Sequence, residues 1–352
     1  AMWRYDRATG MVGGKGDLYG LPKDFTTAIF WTNTDLFNQA GIDWRAIQKN
    51  GWTWDEFERA MKQIKALNGK PGYEGRTLYG SMISIWADTL RNMLWTTGGE
   101  FFDNNPDGTP NFKEPAFDEP GAQKALELIR RMRLEDRTSF NNTGIGKDGG
   151  QEFLNGNIGC LGPIGRWQTP LMKGVTKFKW DVLPIPKGSN PGGGQASQIF
   201  YNGWGMSSQT KHPDDAYKLI RFLTGKDGQV QQAREALAIP ALKSVAYSDD
   251  FLNAPNTPPH DAQLFLDAIA YARVSQNPRQ QEFNRLTEDY INRAIQTGRA
   301  TPKEAADLLQ AAWTGELNSP LRQKQWNPMP WGTILGVGGA ILATAISALW
   351  IK

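Results

Sequence analysis

The sequence predicts an α/β fold, built as two globular units or one large bilobed unit, with a single membrane-spanning helix at its C-terminal end. Three observations carry that expectation. Short β-rich runs alternate with amphipathic helical runs, the pattern of sheets covered by helices. At 352 residues the chain exceeds one ordinary domain. No charged residue occurs from Trp331 to Ile351, and about 20 apolar residues are what a helix needs to cross the hydrocarbon core. Trp331 and Trp350 flank that stretch as interfacial anchors would.

The elements follow from local signals. After the Gly/Pro-punctuated GDLYGLPKDF, a strand is expected from about Thr26 to Trp31, then a helix from Asp35 to Ala40. Thr53 and Glu56 make a capping box, Trp52 and Phe57 occupy the staple positions, and Phe57, Met61 and Ile64 recur at helical spacing. A helix from Trp54 to about Leu67 is the consequence. Pro120 suits a first helical turn, and Ala122, Ala125, Ile129 and Met132 give one apolar face to a helix reaching Arg133. Strands are expected at Ile158 to Leu161 and Trp180 to Ile185, and IFYNGWGM is strand-like after a Gly-rich loop. The run from His212 to Leu223 reads as a helix stopped by Gly225. A second capping box, Thr301 with Glu304, opens a helix with Ala305, Leu308, Leu309 and Ala312 on its apolar stripe, and a polar linker is expected from Gly315 to Pro330.

Composition removes several function classes. The net charge is +3, with basic residues interleaved among acids, so a phosphate backbone finds no basic stripe. Cys160 is the only cysteine, which rules out an intrachain disulfide and a cysteine-rich zinc site. It reads as a small buried apolar residue. Neither His212 nor His260 has a catalytic partner motif, and no zinc-protease helix, nucleophile elbow or phosphate loop occurs. No cofactor is expected. Asp103 to Glu114 has calcium-loop spacing, but Pro106 and Pro110 stiffen it and Asp107-Gly108 is a hairpin signal, so a hairpin is expected. Gly144 to Gly149 has the spacing of a dinucleotide loop without the preceding strand and reads as a surface loop. Gly332 and Gly336 form a small-residue pair within the expected span.

GDLYGLPKDF, TNTDLFNQAGID and GWTWDEF, followed by LWTTGGEFFDNN, FDEPGAQKALELI, FLNGNIGCLGPIGRW, WDVLPIPKG, HPDDAYKLIRFLTG and IPALKSV, occur in an order that resembles family 1 extracellular solute-binding proteins. These are the maltose-binding-protein-like sugar receptors of ABC importers. The resemblance runs from Gly16 to Trp313. It implies a two-lobed periplasmic-binding-protein-like fold of type II, with the first lobe truncated because the family's opening βα units lie upstream of Gly16. Residues 1–27 are then a remnant of the first lobe, 28–202 the second lobe, 203–258 the first lobe continued, 259–318 the helical end of the second lobe, 319–330 a linker and 331–351 the transmembrane helix. Hinges are implied near Thr26 to Trp31, Tyr201 to Met206 and Asn256 to Ala262. A fragment of this kind is expected to bind sugar poorly and to expose apolar surface.

Sugars present hydroxyls and flat C–H faces, so their sites combine aromatic platforms with fixed donors and acceptors. The resemblance points to Trp167 in GPIGRW as a stacking aromatic, to Tyr201, Asn202 and Trp204 on the second hinge segment, and to Trp86 and Asp88 before Gly98-Gly99. Core packing is the competing expectation for each aromatic, and a helix cap for Asp88. Trp31, Trp54 and Trp180 are assigned to the core. The implied function is the binding of a mono- or oligosaccharide, without chemical change, by an extracytoplasmic domain anchored in the inner or cytoplasmic membrane. Its partners are ABC permease subunits, separate or fused downstream. Two alternatives stay open: a paired-carboxylate carbohydrate hydrolase and a membrane-tethered sensor domain.

Overall fold

The computed structural model describes residues 4–6, 11–12, 16–107, 109–141, 149–189, 192–253, 261–275 and 279–319. Residues 1–314 make one compact unit and 315–352 a second. Three short N-terminal strands, β1 (Arg4–Asp6), β2 (Met11–Val12) and β3 (Asp17–Leu18), pair antiparallel in the order β2-β1-β3. The expected strand at Thr26 to Trp31 is two strands, β4 (Leu21–Thr27) and β5 (Ile29–Asn33). They separate at Ala28 and enter different sheets. One hydroxyl pins the crossing: Ser197 Oγ accepts from the Ala28 N–H at 2.9 Å and donates to the Ala28 carbonyl at 3.0 Å.

Helices α1 (Thr34–Gln39), α2 (Trp44–Asn50) and α3 (Trp54–Lys65) follow β5, and the capping box of Thr53 and Glu56 closes the start of α3. The apolar face of α3 lands where its period directs it. Phe57 meets Trp52 at 5.0 Å, Trp54 at 5.3 Å and Phe30 at 5.1 Å between ring centroids. Strand β6 (Tyr79–Ile83) and helix α4 (Ala87–Thr96) come next, then the hairpin β7 (Phe102–Asn104) and β8 (Pro110–Pro115). In that hairpin the Asp107 carboxylate accepts from the Thr109 N–H and hydroxyl, the work of a turn residue. Among the described residues no group of His, Cys, Asp and Glu could hold a metal ion.

Helix α5 (Pro120–Arg130) begins at Pro120 and runs into a single π turn, Arg131–Glu135. After α6 (Gly149–Leu154), strand β9 (Ile158–Ile164) is buried along its whole length because it is central to its sheet. A 3-10 turn, Arg166–Gln168, leads through α7 (Thr169–Met172) to β10 (Trp180–Leu183) and then β11 (Ser197–Trp204). Helices α8 (Pro213–Thr224) and α9 (Lys226–Glu235), strand β12 (Ile239–Pro240), and helices α10 (Lys243–Ala246) and α11 (Asp249–Leu252) complete the middle of the chain. Then come α12 (Gln263–Asp267), β13 (Ala272–Val274), α13 (Gln280–Ile295) and α14 (Pro302–Asn318). The Thr301–Glu304 capping bonds precede α14, which continues through Gly315 to Asn318, four residues into the segment expected to be linker.

Two four-stranded mixed sheets organise the unit. One has the order β12-β4-β11-β13 and the other β10-β5-β9-β6. The chain changes sheet at Ala28 and again between β10 and β11, so the expected boundary at 202/203 falls inside β11. Strand β5 is buried on both faces: Phe30 meets the aromatic cluster of α3, and Trp31 packs on Trp180 at 5.4 Å and Phe265 at 5.9 Å. Trp31, Trp54 and Trp180 are core residues, as expected. Helix α8 buries none of its residues, and Tyr217, Leu219 and Phe222 are exposed. No helix among the described residues is long and apolar enough to cross a membrane. The expected span at 331–351 lies outside the described residues, as do His260, Gly144 to Lys147 and most of the third hinge segment.

Candidate functional site

Strand β11 is the floor of the site. It pairs antiparallel with β4, Tyr201 opposite Phe25 and Asn202 opposite Asp24, and parallel with β13, Gln198 opposite Arg273. The register shifts between Asn202 and Gly203, a local irregularity of the kind that re-aims side chains at sheet edges and sites. Asp24 is buried and fixes its neighbours: its carboxylate accepts from Asn202 Nδ2 at 2.8 Å and Gln232 Nε2 at 2.6 Å, with the Lys23 ammonium at 2.9 Å. Asn202 is thereby oriented by a charged acceptor. Burial pushes the Tyr201 phenol up from its ordinary pKa, so it stays a neutral donor and acceptor across the physiological range.

The 3-10 turn after β9 brings Trp167 over this floor. The Arg166 N–H donates to Thr26 Oγ1 at 2.9 Å, tying the turn to β4. Gly165 has no alternative at its position, because a Cβ there would lie 2.1 Å from the Trp167 ring. Trp167 is half-buried and stands edge-on to Phe200. Arg166 turns the other way, into the core, with its guanidinium 4.3 Å from the Phe251 ring centroid and 5.2 Å from that of Phe265.

Helix α4 supplies the opposite wall. Trp86 is its N-cap residue, 58% exposed, and offers no side-chain cap. Asp88 stands in the first turn, where a carboxylate complements the helix dipole. It does not cap. Its carboxylate accepts from Asn284 Nδ2 at 3.1 Å and Gln280 Nε2 at 3.3 Å, both on α13, with Arg91 Nε 3.7 Å away. Arg91 is buried, its guanidinium 3.8 Å from the Phe101 ring centroid, and burial pulls its pKa down to about 10.

These elements enclose a cleft of about 540 Å³ lined by Trp86, Asp88, Trp167, Gln198, Ile199, Phe200, Tyr201, Asn202, Ser275 and Gln280. Its volume exceeds that of the polar depression beside Arg76 and Phe178, about 410 Å³. Five of the six residues singled out from the sequence stand around this one space. Trp204 does not line it: at the end of β11, opposite Leu21, it is 37% exposed with the Lys23 ammonium 5.7 Å from its ring centroid. Gln198, Ser275 and Gln280 were missed, since isolated amides and hydroxyls carry no motif. One signal was available for Gln280: Phe283, Leu286, Tyr290 and Ala294 recur at helical spacing just beyond it. Aromatic faces beside amide, hydroxyl and carboxylate groups suit a polyhydroxylated ligand.

A sequence model of a family described as bacterial extracellular solute-binding protein matches residues 4–259. A Brucella abortus binding protein is 26% identical over 242 residues, 68% of this chain and 54% of that protein. The lactose-binding protein of Rhizobium radiobacter is 27% identical over 220 residues, 60% of this chain and 47% of its own length. The chain thus spans about half the length of these curated relatives. In structure it is similar to an ABC substrate-binding protein of Listeria monocytogenes in complex with cycloalternan, with a TM-score of 0.73 and 19% identity, covering 88% of this chain and 74% of that one. At that identity the likeness establishes the fold alone, a mixed α/β fold matching that of two-lobed sugar-binding proteins.

Proposed function

The chain belongs to the bacterial extracellular solute-binding protein family, and from that premise we propose that it binds an intact carbohydrate, outside the cytoplasm, for delivery to an ABC importer. One observation carries the reading: Trp86 and Trp167 face the same cleft as Asp88, Tyr201 and Asn202, from elements far apart in the chain. Indole faces supply stacking on sugar C–H surfaces, and the oriented Asn202 amide and neutral Tyr201 phenol supply hydrogen bonds. The sugar named for the Rhizobium radiobacter relative and the cyclic oligosaccharide in the Listeria monocytogenes structure support a mono- or oligosaccharide ligand.

Binding without chemistry fits the electrostatics. Among the described residues that line the cleft, Asp88 is the only carboxylate, whereas glycoside hydrolysis by the paired mechanism needs two. Asp88 is also engaged by two amides. In this reading the two lobes are built around the two four-stranded sheets, and the crossings at Ala28 and between β10 and β11 act as hinges. Closure of the lobes on the sugar is the signal to permease subunits, and the apolar segment 331–351 holds the domain at the membrane.

Titration of the protein with lactose, maltotriose and galactobiose, followed by tryptophan fluorescence and calorimetry, tests the proposal. Saturable binding of at least one sugar, even when weak, with the sugar recovered chemically unchanged, is the expected result. Sustained release of smaller sugars from any of them overturns it.

A further inference from the structure

Gln198 is 3% exposed and lines the cleft, yet its Oε1 has no hydrogen-bond partner among the described residues. Its backbone is fixed from both sides, because its N–H donates to Asn92 Oδ1 at 2.7 Å and its strand neighbour is Arg273 on β13. The side chain has one long contact, Nε2 to Ser275 Oγ at 3.5 Å. Exchanging the amide O and N changes nothing in this balance, since Ser275 can satisfy one of the two atoms and the other remains unpartnered. A buried polar group in that state is stabilised only by a partner that arrives.

Resting on the carbohydrate reading above, we propose that Gln198 determines specificity by reading one hydroxyl of the bound sugar, with Ser275 and Gln280 completing the polar rim around it. A hydroxyl both donates and accepts, so it satisfies whichever amide atom the side chain turns toward it when the sugar binds. Two features set this position apart from the aromatic contacts. Stacking on Trp86 and Trp167 accepts any sugar with an apolar face, whereas an unpartnered amide penalises a ligand that lacks a hydroxyl at that place. The residue sits on β11, an interior strand of the sheet β12-β4-β11-β13, so its position is set by the scaffold and not by a loop. The site is therefore built to discriminate between sugars that differ at one carbon.

The test uses the full chain, the tightest-binding member of lactose, maltotriose and galactobiose, and the monodeoxy analogues of that sugar. The expected result is that one analogue binds about tenfold or more weakly than the parent sugar, and that Gln198→Leu loses about as much for the parent sugar. In Gln198→Leu that analogue and the parent sugar should bind alike, because the two losses report one contact. The thermal midpoint of the sugar-free Gln198→Leu protein should not fall, since an unpartnered polar atom is removed. If that variant does not fold, Gln198→Met replaces it in the same comparison of parent sugar and analogue. Analogues that all bind within about twofold of the parent, or a folded variant that keeps the parent's affinity, overturn the Gln198 assignment alone. Absence of binding by all three sugars overturns the carbohydrate reading, and this assignment with it.

Discussion

Trp167 stands edge-on to Phe200, with ring centroids 4.9 Å apart and planes at 84°. The pair joins the turn after β9 to strand β11, so it locks an aromatic face over the floor of the cleft. Gly165 makes that placement possible, and a Cβ at 165 would sit 2.1 Å from the indole. Gly165→Ala should therefore rotate Trp167 out of place at a stability cost of about 1–3 kcal/mol. Its sugar affinity should fall by about tenfold or more, as in Trp167→Ala. Calorimetric titration of both variants checks this, and unchanged affinity in Gly165→Ala would show that the ring position does not matter.

Local order was legible in the sequence wherever one segment carried its own signal. Thr53, Glu56 and the spacing of Phe57, Met61 and Ile64 specified α3 because a helix is set by contacts three and four residues apart. Gly225 marked the end of α8, a stop signal that is equally local. The break at Ala28 was not legible, since Thr26 to Trp31 is one continuous β-favouring run and the division between sheets depends on Ser197, 169 residues away. The site shows the same limit. Family resemblance pointed to Trp86, Asp88, Trp167, Tyr201 and Asn202, but their meeting in one cleft depends on β6, β9 and β11 lying in particular orders in two sheets. Gln198 and Ser275 become visible only when a buried atom is found without a partner.

The Thr53–Glu56 box makes a pH-dependent contribution. The Thr53 backbone N–H and hydroxyl both donate to the Glu56 carboxylate and hold its pKa below the ordinary 4.5. A carboxyl depressed in the folded state contributes stability above its unfolded pKa, and that contribution is lost as pH falls through the lower folded value. Thr53→Ala should cost about 1 kcal/mol at pH 7. The deficit of Glu56→Gln against the parent protein, measured by urea unfolding, should shrink as pH is taken below 4.5.

Cys160 is buried in β9, its Sγ 3.4 Å from Thr32 Oγ1, and burial pushes its thiol up to about 12. The native protein should resist aromatic disulfide reagents at pH 8, whereas the denaturant-unfolded chain should release one equivalent of chromophore. The linkage has a definite sign. Between pH 9 and 12 the unfolded thiol loses its proton and the folded one keeps it, so stability falls with rising pH by up to about 1.4 kcal/mol per unit from this group. Cys160→Ala should unfold with a shallower alkaline slope than the parent protein, and identical slopes would remove the thiol from the account.

Helix α8 presents Leu219 and Phe222 to solvent, the latter 62% exposed, and buries none of its residues. Exposed apolar side chains about one helical turn apart favour association. Replacing Phe222 with Lys should change folding stability by less than about 0.5 kcal/mol, because most of its surface is already exposed. The same change should lower light scattering at high concentration and the fluorescence of a bound hydrophobic dye. Unaltered scattering would place the associating surface elsewhere.

Ser197 offers the sharpest test of the crossing between the sheets. Its hydroxyl serves both the N–H and the carbonyl of Ala28, and both residues are fully buried. Ser197→Ala keeps the volume nearly constant but removes that hydroxyl from both groups. Leaving the buried Ala28 N–H without this acceptor should cost about 1–3 kcal/mol, seen as a lower denaturation midpoint. Hydrogen exchange gives a site-specific reading, since the Ala28 amide should exchange much faster in the variant while amides at the centre of β9 keep their protection. A uniform loss of protection across both sheets would instead mean that Ser197 supports the whole fold, and that the crossing at Ala28 has no separate stability of its own.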